Sequence, residues 1–482
     1  MNLKKKLIPV LIAPLFVGLT LSGQAYANDS EELEKLRALV QELDQKIKVL
    51  DRKGELAEEA AAAKKKETPV VKASQDGFGF ESADGKNKIK FKALAQIDYR
   101  NYQDAGTGND AKNIDGFDFR RIRPTIEGTI AGKYDFRFTP EFGEAKAAVV
   151  DAYIDARFQP WAKVRAGKFK PFVGLERLQS GSDIKFIERS YVSNNILPNR
   201  DLGASLYGDL FDNKLSYAVG VFNGVVDGGE NTTAQDTNGD KEYAVRVFTT
   251  PFKDSDNVLA GLGFGFAATH GSFDGTSSNT GLPAYKSAGQ QASFFAYNSG
   301  ATNIVAGTGD RNRYAPQAYY YYGPFGLIAE YARVEQGVIN IGTDVALKGK
   351  SANLKNDAWQ IAGSWLITGE DASFKGVKPK NVFDTDAGTW GAWEIVARYQ
   401  ENNIDDAAFA YTSTKSYFAD STSQAKSAQS WALGLNWYLN QNIKLASNYE
   451  QTSFTGGGGG TLAAPKDRAD EKTLFTRLQI SY

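Results

Sequence analysis

The 482-residue sequence has no cysteine and a single histidine, His270. Without cysteine, the chain cannot form a disulfide scaffold, a thiol nucleophile or a cysteine metal site. One histidine cannot build a histidine-based zinc centre, and it argues against Ser-His-Asp catalysis. The composition therefore favours a protein that is not an enzyme and that uses neither a metal nor another cofactor.

The sequence also lacks an excess of charge of one sign. Its 56 Lys and Arg residues nearly balance 57 Asp and Glu residues, so no global charge argues for nucleic acid as a partner. Beyond the N-terminal leader there is no long apolar run, and the mean hydropathy is -0.40. A transmembrane β-barrel has the same soluble-looking average, because its lipid-facing and lumen-facing residues alternate.

Residues 1–27, "MNLKKKLIPVLIAPLFVGLTLSGQAYA", have the three parts of a secretory signal peptide. Lys4 to Lys6 form the basic region, Leu7 to Leu21 the apolar region, and Ala25-Tyr26-Ala27 the small-x-small cleavage site. The apolar run is short for a membrane anchor and contains two prolines. The sequence therefore predicts an exported protein whose mature chain begins near residue 28.

Residues 28–68 predict a helix with a coiled-coil seam. Apolar residues recur at spacings of 3, 4, 3, 4 and 3, namely at Leu33, Leu36, Val40, Leu43, Ile47 and Leu50. Charged residues fill the flanking positions, which favours self-association over an isolated amphipathic helix. Pro69 ends the segment, and we assign residues 69–86 to a linker.

From residue 87 to 482 the pattern changes to a period of two. In "NKIKFKALAQIDYRNY", apolar residues from Ile89 to Tyr99 share one face, and Lys, Gln, Asp and Arg share the other. The same alternation recurs in about 16 segments, including the last, "TLFTRLQISY", which continues to the final residue. A terminal strand with no tail is expected where both of its edges are paired, as in a closed barrel.

Connection lengths alternate along this region. Tight links such as "AGK" (131–133) and "NQN" (440–442) take turns with long ones such as 172–200 and 402–428. Short turns at one end and long loops at the other are typical of outer-membrane barrels and not of soluble β-sandwiches, jelly rolls or propellers. The connection 368–390 is too long for its place, so it is either an elaborated turn or an error in our strand register.

If the apolar residues face lipid, the polar face lines a water-filled lumen. That face carries many arginines, and fixed charges at a narrow passage select among ions. The third external loop follows the fifth strand and combines cations with hydroxyl residues. Its candidate donors to a tetrahedral oxyanion are Arg177, Ser180, Ser182, Lys185 and Arg189. An exposed polar loop is the other interpretation of this stretch.

Several stretches, in order along residues 90–482, resemble the phosphate-selective porin O and P family. They are "DFRRIRPTIEGTIAGKYDFRFTPEF", "GKFKPFVGLERLQSGSDIKFIERS", "SWLITGE", "GAWEIVARYQ", "LNWYLNQNIKLASNYEQT" and "FTRLQISY". The helical segment before the barrel is also similar to the family's arrangement. The resemblance implies a 16-stranded outer-membrane channel that is a homotrimer and passes small anions.

The resemblance also implies which residues hold the anion. In the third loop, Arg177 takes the basic position, Ser180 a serine position, and Arg189 a second basic position of the motif. The adjoining serine position falls on Gly181, with Ser182 one step on. On the pore wall, Arg120 and Arg121 match an arginine pair, and Asp151 matches an acidic residue near the anion; Arg123 and Arg165 extend the charged wall. The family's arginine ladder on a later strand has only Arg246 as its counterpart here.

The sequence thus predicts an all-β, about 16-stranded antiparallel outer-membrane barrel, preceded by a short coiled-coil helix in the periplasm of a Gram-negative bacterium. The expected function is passive diffusion of small anions, with phosphate as the first candidate and the third external loop as the constriction. The expected partners are small anions, outer-membrane lipid and further copies of the chain. Two alternatives stay open: a general or sugar-accepting porin without anion selectivity, and a barrel that tethers the envelope through its coiled coil.

Overall fold

The structure is a computed structural model that describes residues 29–74, 77–105, 114–231, 239–290 and 292–482. The predicted signal peptide, residues 1–27, lies outside the described residues. The chain divides after Thr68 into a helical unit and a β-unit, Pro69–Tyr482.

The helical unit is one α-helix, Asp29–Glu67. Three Asp or Glu residues pair with Lys four positions later, as in Glu42–Lys46 at 2.7 Å, which supports an exposed helix. All six residues of the predicted seam are at least half exposed, from Leu43 at 50% to Leu50 at 67%. Among the described residues, this and the other helices are too short or too polar to cross a membrane.

The β-unit is a closed barrel of 16 antiparallel strands, which confirms the predicted fold. We number the strands β1 to β16 in chain order. They are β1 Lys88–Ala105, β2 Gly116–Ile130, β3 Tyr134–Glu141, β4 Ala148–Gln159, β5 Ala162–Phe169, β6 Asp201–Leu210, β7 Leu215–Phe222, β8 Glu242–Thr249, β9 Leu262–Ser272, β10 Asn303–Tyr322, β11 Phe325–Asn340, β12 Ser351–Leu366, β13 Ala392–Asn403, β14 Ala425–Tyr438, β15 Ile443–Thr461 and β16 Glu471–Ser481. Each strand pairs with its sequence neighbours.

The last strand closes the barrel against the first. Strand β16 pairs with β1 from Glu471↔Ala105 to Ser481↔Leu94. The final residue still takes part, since Tyr482 and Ala93 exchange backbone hydrogen bonds of 3.0 and 3.1 Å. The regular pattern therefore continues to Tyr482, because a closed barrel has no edge strand.

A hairpin completes the wall below the point where β16 ends. Its strands are Val70–Ser74 and Gly77–Glu81, and the second pairs with the first four residues of β1. Phe78 of this hairpin packs edge-on against Tyr482, with ring centroids 5.0 Å apart. The linker that we assigned to residues 69–86 therefore includes β-structure, because the start of β1 lacks a partner from β16 and the hairpin supplies one.

The period-two alternation separates the two faces of the wall. In β16, Leu474, Leu478 and Ile480 are 38–49% exposed on the outside, whereas Arg477 and Gln479 are 2–3% exposed on the inside. Exposed aromatic residues gather at the end with the short turns: Tyr134, Phe158, Trp161, Phe211, Tyr322, Phe325, Trp365 and Trp390. This arrangement matches the interfacial girdle of an outer-membrane barrel.

Connections alternate in length as predicted. Residues 170–200 join β5 to β6 and form the third long connection. The connection 367–391 is an elaborated turn on the short-turn side, with a two-residue hairpin pairing Phe383–Asp384 with Thr389–Trp390. A further connection on that side, 250–261, is longer than the tight links and contains a 3-10 turn, Val258–Gly261.

Three long connections fold together and form an apolar core at the outer end, the end with the long connections. Strand pair Ala284–Lys286 and Ser293–Ala296 lies in the β9–β10 connection, and the 3-10 turn Asp406–Phe409 lies in the β13–β14 connection. The ring centroids of Phe295 and Phe409 lie 5.9 Å apart, and those of Phe294 and Tyr191 of the third connection lie 6.3 Å apart. This core packs on inward-facing residues of β10 to β12.

Candidate functional site

The third long connection, residues 170–200, is attached to the inner face of the barrel wall. It includes a short helix, Leu175–Leu178, and a π-turn, Val192–Ile196. Wall side chains donate hydrogen bonds of 2.7–3.2 Å to its carbonyl oxygens: Gln96 to Gly181, Gln479 to Ser182, Lys444 to Ile184, Asn436 to Lys185, Arg477 to Ile187 and Arg398 to Glu188. These donors belong to five consecutive strands, β13 to β16 and β1, so this part of the connection lies along nearly a third of the wall.

Glu188 supplies the main ionic contact between this connection and the wall. Its carboxylate accepts hydrogen bonds from Arg120 Nε at 2.7 Å and Arg100 Nη2 at 2.8 Å, and Arg477 Nη2 lies 3.8 Å away. Burial favours the protonated acid, but the charges of Arg120 and Arg100 outweigh it and hold the pKa of Glu188 well below its usual 4.5. The buried carboxylate therefore stays ionised and fixes the connection in place.

A β-bulge explains how two successive arginines both face the lumen. Gln96 of β1 pairs with Arg121, whereas Ile97 pairs with Phe119, which leaves Arg120 as the extra residue of β2. Phe119 is 55% exposed on the outside, yet Arg120 reaches Glu188 and Arg121 Nη1 donates to Gln96 Oε1 at 2.6 Å. An uninterrupted strand would have sent one arginine into the lipid.

Two cavities follow one another along the lumen. The outer cavity has a volume of about 1190 Å³ and is lined by β1 to β3 and the long connections. The inner cavity has a volume of about 1080 Å³ and extends to the short turns. Arg123 and Arg200 line both cavities, and we call the place where they meet the junction.

The predicted loop residues are divided by the junction. Arg177 and Arg189 line the outer cavity, whereas Ser180 and Ser182 line the inner one. The two serines hydrogen-bond to each other at 2.9 Å, and Ser182 Oγ also donates to Asp183 Oδ1 at 2.9 Å. The structure therefore brings Arg177 and Arg189 together in the outer cavity and places the two serines in the inner one. The third predicted cation of the loop, Lys185, lines neither cavity, and its Nζ lies 2.8 Å from Glu394 of β13.

Four cations near the junction have neutral partners only. Arg121 donates a hydrogen bond to Gln96 Oε1, and Lys170 donates one to the carbonyl oxygen of Gln179. Arg177 donates to Asn199 Oδ1 and to the carbonyl oxygen of Ser193. Arg189 donates to the carbonyl oxygens of Gln179 and Glu176. The Nε atoms of Arg121 and Arg177 are buried without a hydrogen-bond partner. Over the described ranges, no carboxylate forms an ion pair with any of the four.

Burial first, and neighbouring cations second, lower the pKa values of the cations in the connection. Burial and then the charges of Arg189 and Arg200 lower the pKa of Arg177 to about 9. Burial, Arg200 and Arg123 lower the pKa of Arg189 to about 10, against the opposing effect of Glu176. Burial and Arg189 likewise hold the pKa of Lys170 well below its usual value. A bound anion would reduce the repulsion between these positive charges.

The remaining predicted wall residues are paired with opposite charges. Arg123 Nε lies 2.5 Å from Glu141, Arg165 forms a bidentate pair with Asp155 at 2.7 and 2.9 Å, and Asp151 accepts from Arg200 Nε at 2.9 Å. Aromatic rings also cover Arg165, and its guanidinium carbon lies 4.0 Å from the centre of the Tyr153 ring. These residues shape the lumen, but their charges are largely compensated.

Sequence reasoning missed three residues that define the site: Lys170, Glu188 and Arg200. All three belong to the third connection, within or just after the quoted motif. Lys170 follows the last residue of β5 and Arg200 precedes the first residue of β6. Their position at the two ends of a long loop was a usable signal, because strand ends fix where a side chain enters the lumen.

Known proteins resemble this chain over most of its length. Residues 89–458 match the family described as phosphate-selective porin O and P. Porin O of Pseudomonas aeruginosa is 26% identical over 409 residues, which cover 79% of this chain and 86% of that protein. Among solved structures, the outer membrane channel DcaP of Acinetobacter baumannii has a TM-score of 0.49 at 12% identity, covering 84% of this chain and 99% of that one. The anion-selective porin from Comamonas acidovorans has a TM-score of 0.46 at 12% identity, covering 82% and 100%.

The Glu188 contact predicts how the third connection can be released. We expect Glu188→Gln to weaken its attachment by about 3 kcal/mol, because Arg120 loses its buried partner, whereas Arg100 keeps Asp98 at 3.0 Å. Single-channel recordings should then show larger and noisier currents. Glu144→Gln is the matched control, since Glu144 pairs with the same Arg120 from a third-exposed position and should cost less than about 1 kcal/mol. Equal effects of the two substitutions would contradict the assigned role.

The same contact sets a direction of pH dependence. Because the pKa of Glu188 is lowered in the folded protein, its stabilisation is complete above the usual value of 4.5 and declines as the pH falls below it. We expect single-channel noise of the wild type to be constant at mildly acidic pH and to rise only below about pH 4. A rise in noise near neutral pH would argue that another group holds the connection.

Proposed function

We propose that this chain, which belongs to the phosphate-selective porin O and P family, is an anion-selective channel whose constriction is formed by residues 170–200. Membership of the family and the closed 16-stranded barrel establish an outer-membrane porin and not an enzyme. Anion selectivity, the position of the constriction and the preference for phosphate are our proposals.

The observation that carries the proposal is the group of four cations with neutral partners on the two sides of the junction: Arg121, Lys170, Arg177 and Arg189. A cation paired with a carboxylate contributes little net field, whereas one that donates only to amide and carbonyl oxygens keeps its full charge. Such charges attract anions and repel cations within a narrow passage. The group supports anion selectivity in preference to a general or sugar-accepting pore.

The attachment of residues 170–200 to the wall supports placing the constriction there. The connection lies across the lumen at the level of Arg123 and Arg200, and its segment 181–188 is fixed to the wall by side-chain donors. A fixed loop maintains a constant opening, which selectivity by charge and size requires.

Phosphate is the first candidate because its oxygens can accept several charge-assisted hydrogen bonds at once. Arg177 and Arg189 would meet the anion in the outer cavity, and Ser180 and Ser182 would receive it in the inner one. At the junction, Arg123 and Arg200 are each compensated by a carboxylate. Weak binding on both sides of a compensated passage would permit exit as well as entry.

Removing one loop cation tests the proposal. In planar bilayers with a KCl gradient, the wild type should show a reversal potential set by chloride and should be blocked by phosphate. Arg177→Gln retains a hydrogen-bonding side chain but loses the charge, so the half-blocking phosphate concentration should rise about tenfold. Lys214→Gln is the control, because Lys214 pairs with Asp254 at a short turn outside both cavities. A cation-selective wild type, or equal block in both variants, would overturn the anion assignment.

Restoring the family's serine at Gly181 tests the preference for phosphate. A side chain at this position would place its Cβ 3.5–3.6 Å from Arg121 Cδ and Nε and 3.3 Å from Leu94, so serine fits with a small adjustment. Its hydroxyl group would add a donor beside Arg121, and we expect the half-blocking phosphate concentration to fall about threefold. Gly181→Ala is the control for bulk alone. A similar decrease with alanine would show that the hydroxyl group has no role.

We also propose that the helical unit lies in the periplasm and self-associates, as the family resemblance implies for a homotrimer. The observation in favour is that the seam residues, although apolar, are at least half exposed in a single chain. Packing against other copies would cover them. An envelope tether built on the same helix remains the second candidate.

The lack of native cysteine gives a direct test of the seam. In the full-length protein, oxidised Leu36→Cys should form interchain disulfides, because facing seam positions bring Cβ atoms to about 4 Å. Leu39→Cys is the matched control, since Leu39 lies outside the seam and is similarly exposed, 56% against 60%. Non-reducing gels should show much less cross-linking for the control. Equal cross-linking of the two variants would argue against a specific coiled coil.

A further inference from the structure

Arg246 of β8 is a further cation in the lumen and does not belong to the group of four near the junction. It lies on the wall of the inner cavity, and its Nε and Nη2 both donate to the side-chain oxygen of Gln317 at 3.1 Å. In the part of the chain that the structure describes, it forms no ion pair with a carboxylate. Glu330, an acidic side chain whose charge influences Arg246, accepts hydrogen bonds from the backbone amides of Leu175 and Glu176. The charge of Arg246 is therefore available to the cavity.

Three aromatic rings continue from Arg246 along the same wall. The guanidinium carbon lies 4.7 Å from the centre of Phe248. Phe248 contacts Tyr319 with ring centroids 5.2 Å apart, and Tyr319 stacks on Phe374 at 5.6 Å with the ring planes 29° apart. Tyr319 and Phe374 are half-buried and line the cavity. The lumen thus presents a cation and aromatic surface side by side.

Phe374 comes from the elaborated turn 367–391 and is held in place from the third connection. Its carbonyl oxygen accepts a hydrogen bond from Gln179 Nε2 at 2.8 Å, and its ring packs with Leu175, Phe248 and Ile328. These apolar contacts anchor one side of the ring cluster. They do not account for a neighbouring arginine whose hydrogen bonds, among the described residues, go only to the amide oxygen of Gln317.

We propose that Arg246, Tyr319 and Phe374 form a subsite for flat aromatic anions, that is, an aromatic ring bearing a carboxylate or a phosphate ester. The guanidinium would hold the anionic group, and the ring of the solute would stack on the exposed aromatic faces. Inorganic phosphate would use the cation alone. This inference rests on the proposed anion channel and extends its substrates to organic anions.

The test compares anions that differ in the ring only. With the full-length protein in a planar bilayer, we measure the concentrations of phenyl phosphate and ethyl phosphate that halve the chloride current at one pH. Phenyl phosphate should act at about a fivefold lower concentration than ethyl phosphate. Benzoate and acetate form a parallel pair that shows whether a carboxylate serves as well as a phosphate ester.

Two variants assign this preference to the subsite. Phe374→Leu keeps an apolar side chain against Leu175 but removes the aromatic face, so the fivefold ratio should fall to about one. Phe383→Leu is the matched control from the same turn, because Phe383 packs on Trp390 and Trp437 and does not line the cavity. Arg246→Gln should raise the half-blocking concentration of phenyl phosphate about tenfold.

The outcomes separate this inference from the proposed function. A chloride-set reversal potential with equal block by phenyl and ethyl phosphate would overturn the aromatic subsite and leave the anion channel standing. Equal ratios in Phe374→Leu and Phe383→Leu would also overturn it. The reversal potential tests anion selectivity independently of the ring preference, and the insertion of open channels into the bilayer shows that each variant has folded.

Discussion

Backbone hydrogen bonding in a membrane is the constraint on which this structure depends. Within hydrocarbon, each peptide group must find its partner in the protein, so a sheet that crosses the membrane has to close. Closure pairs the last residue, Tyr482, with Ala93 and brings the hairpin 70–81 to the part of β1 that β16 leaves unpaired. It also fixes the register, and with it the division of side chains between lipid and lumen.

The same requirement governs the chain that crosses the lumen. Residues 181–188 are not part of a strand ladder, so their carbonyl oxygens need donors from elsewhere. The wall supplies them from side chains such as Arg477, Lys444 and Asn436. Wall cations are thus used to hold the third connection, and the carboxylate of Glu188 is used for the same purpose. The cations on the connection itself, Arg177 and Arg189, are left with neutral partners, and on the proposed function this leaves them able to bind anions.

The sequence predicts the repetitive part of this architecture well and the local exceptions poorly. Period-two alternation and loop lengths are enough for the barrel, because a wall with lipid on one side and water on the other imposes that pattern on every strand. The bulge at Arg120 follows no such rule, since it depends on the pairing of Gln96 and Ile97 with β2. The path of residues 170–200 depends on donors up to 297 positions away, as in Gln479 to Ser182, and no local motif encodes it.

The predicted site residues are divided between two successive cavities, and this division has a physical consequence. Arg177 and Arg189 face the outer cavity, and Lys170 with the two serines faces the inner one. Between them, Arg123 and Arg200 carry two positive charges against the two negative charges of Glu141 and Asp151. On the proposed function, an anion would meet the charges of Arg177 and Arg189 before the junction and that of Lys170 after it, with a nearly neutral surface between them. A field that was strongest at the narrowest passage would trap the anion there. With the field on either side, attraction would draw anions in and the junction would let them pass.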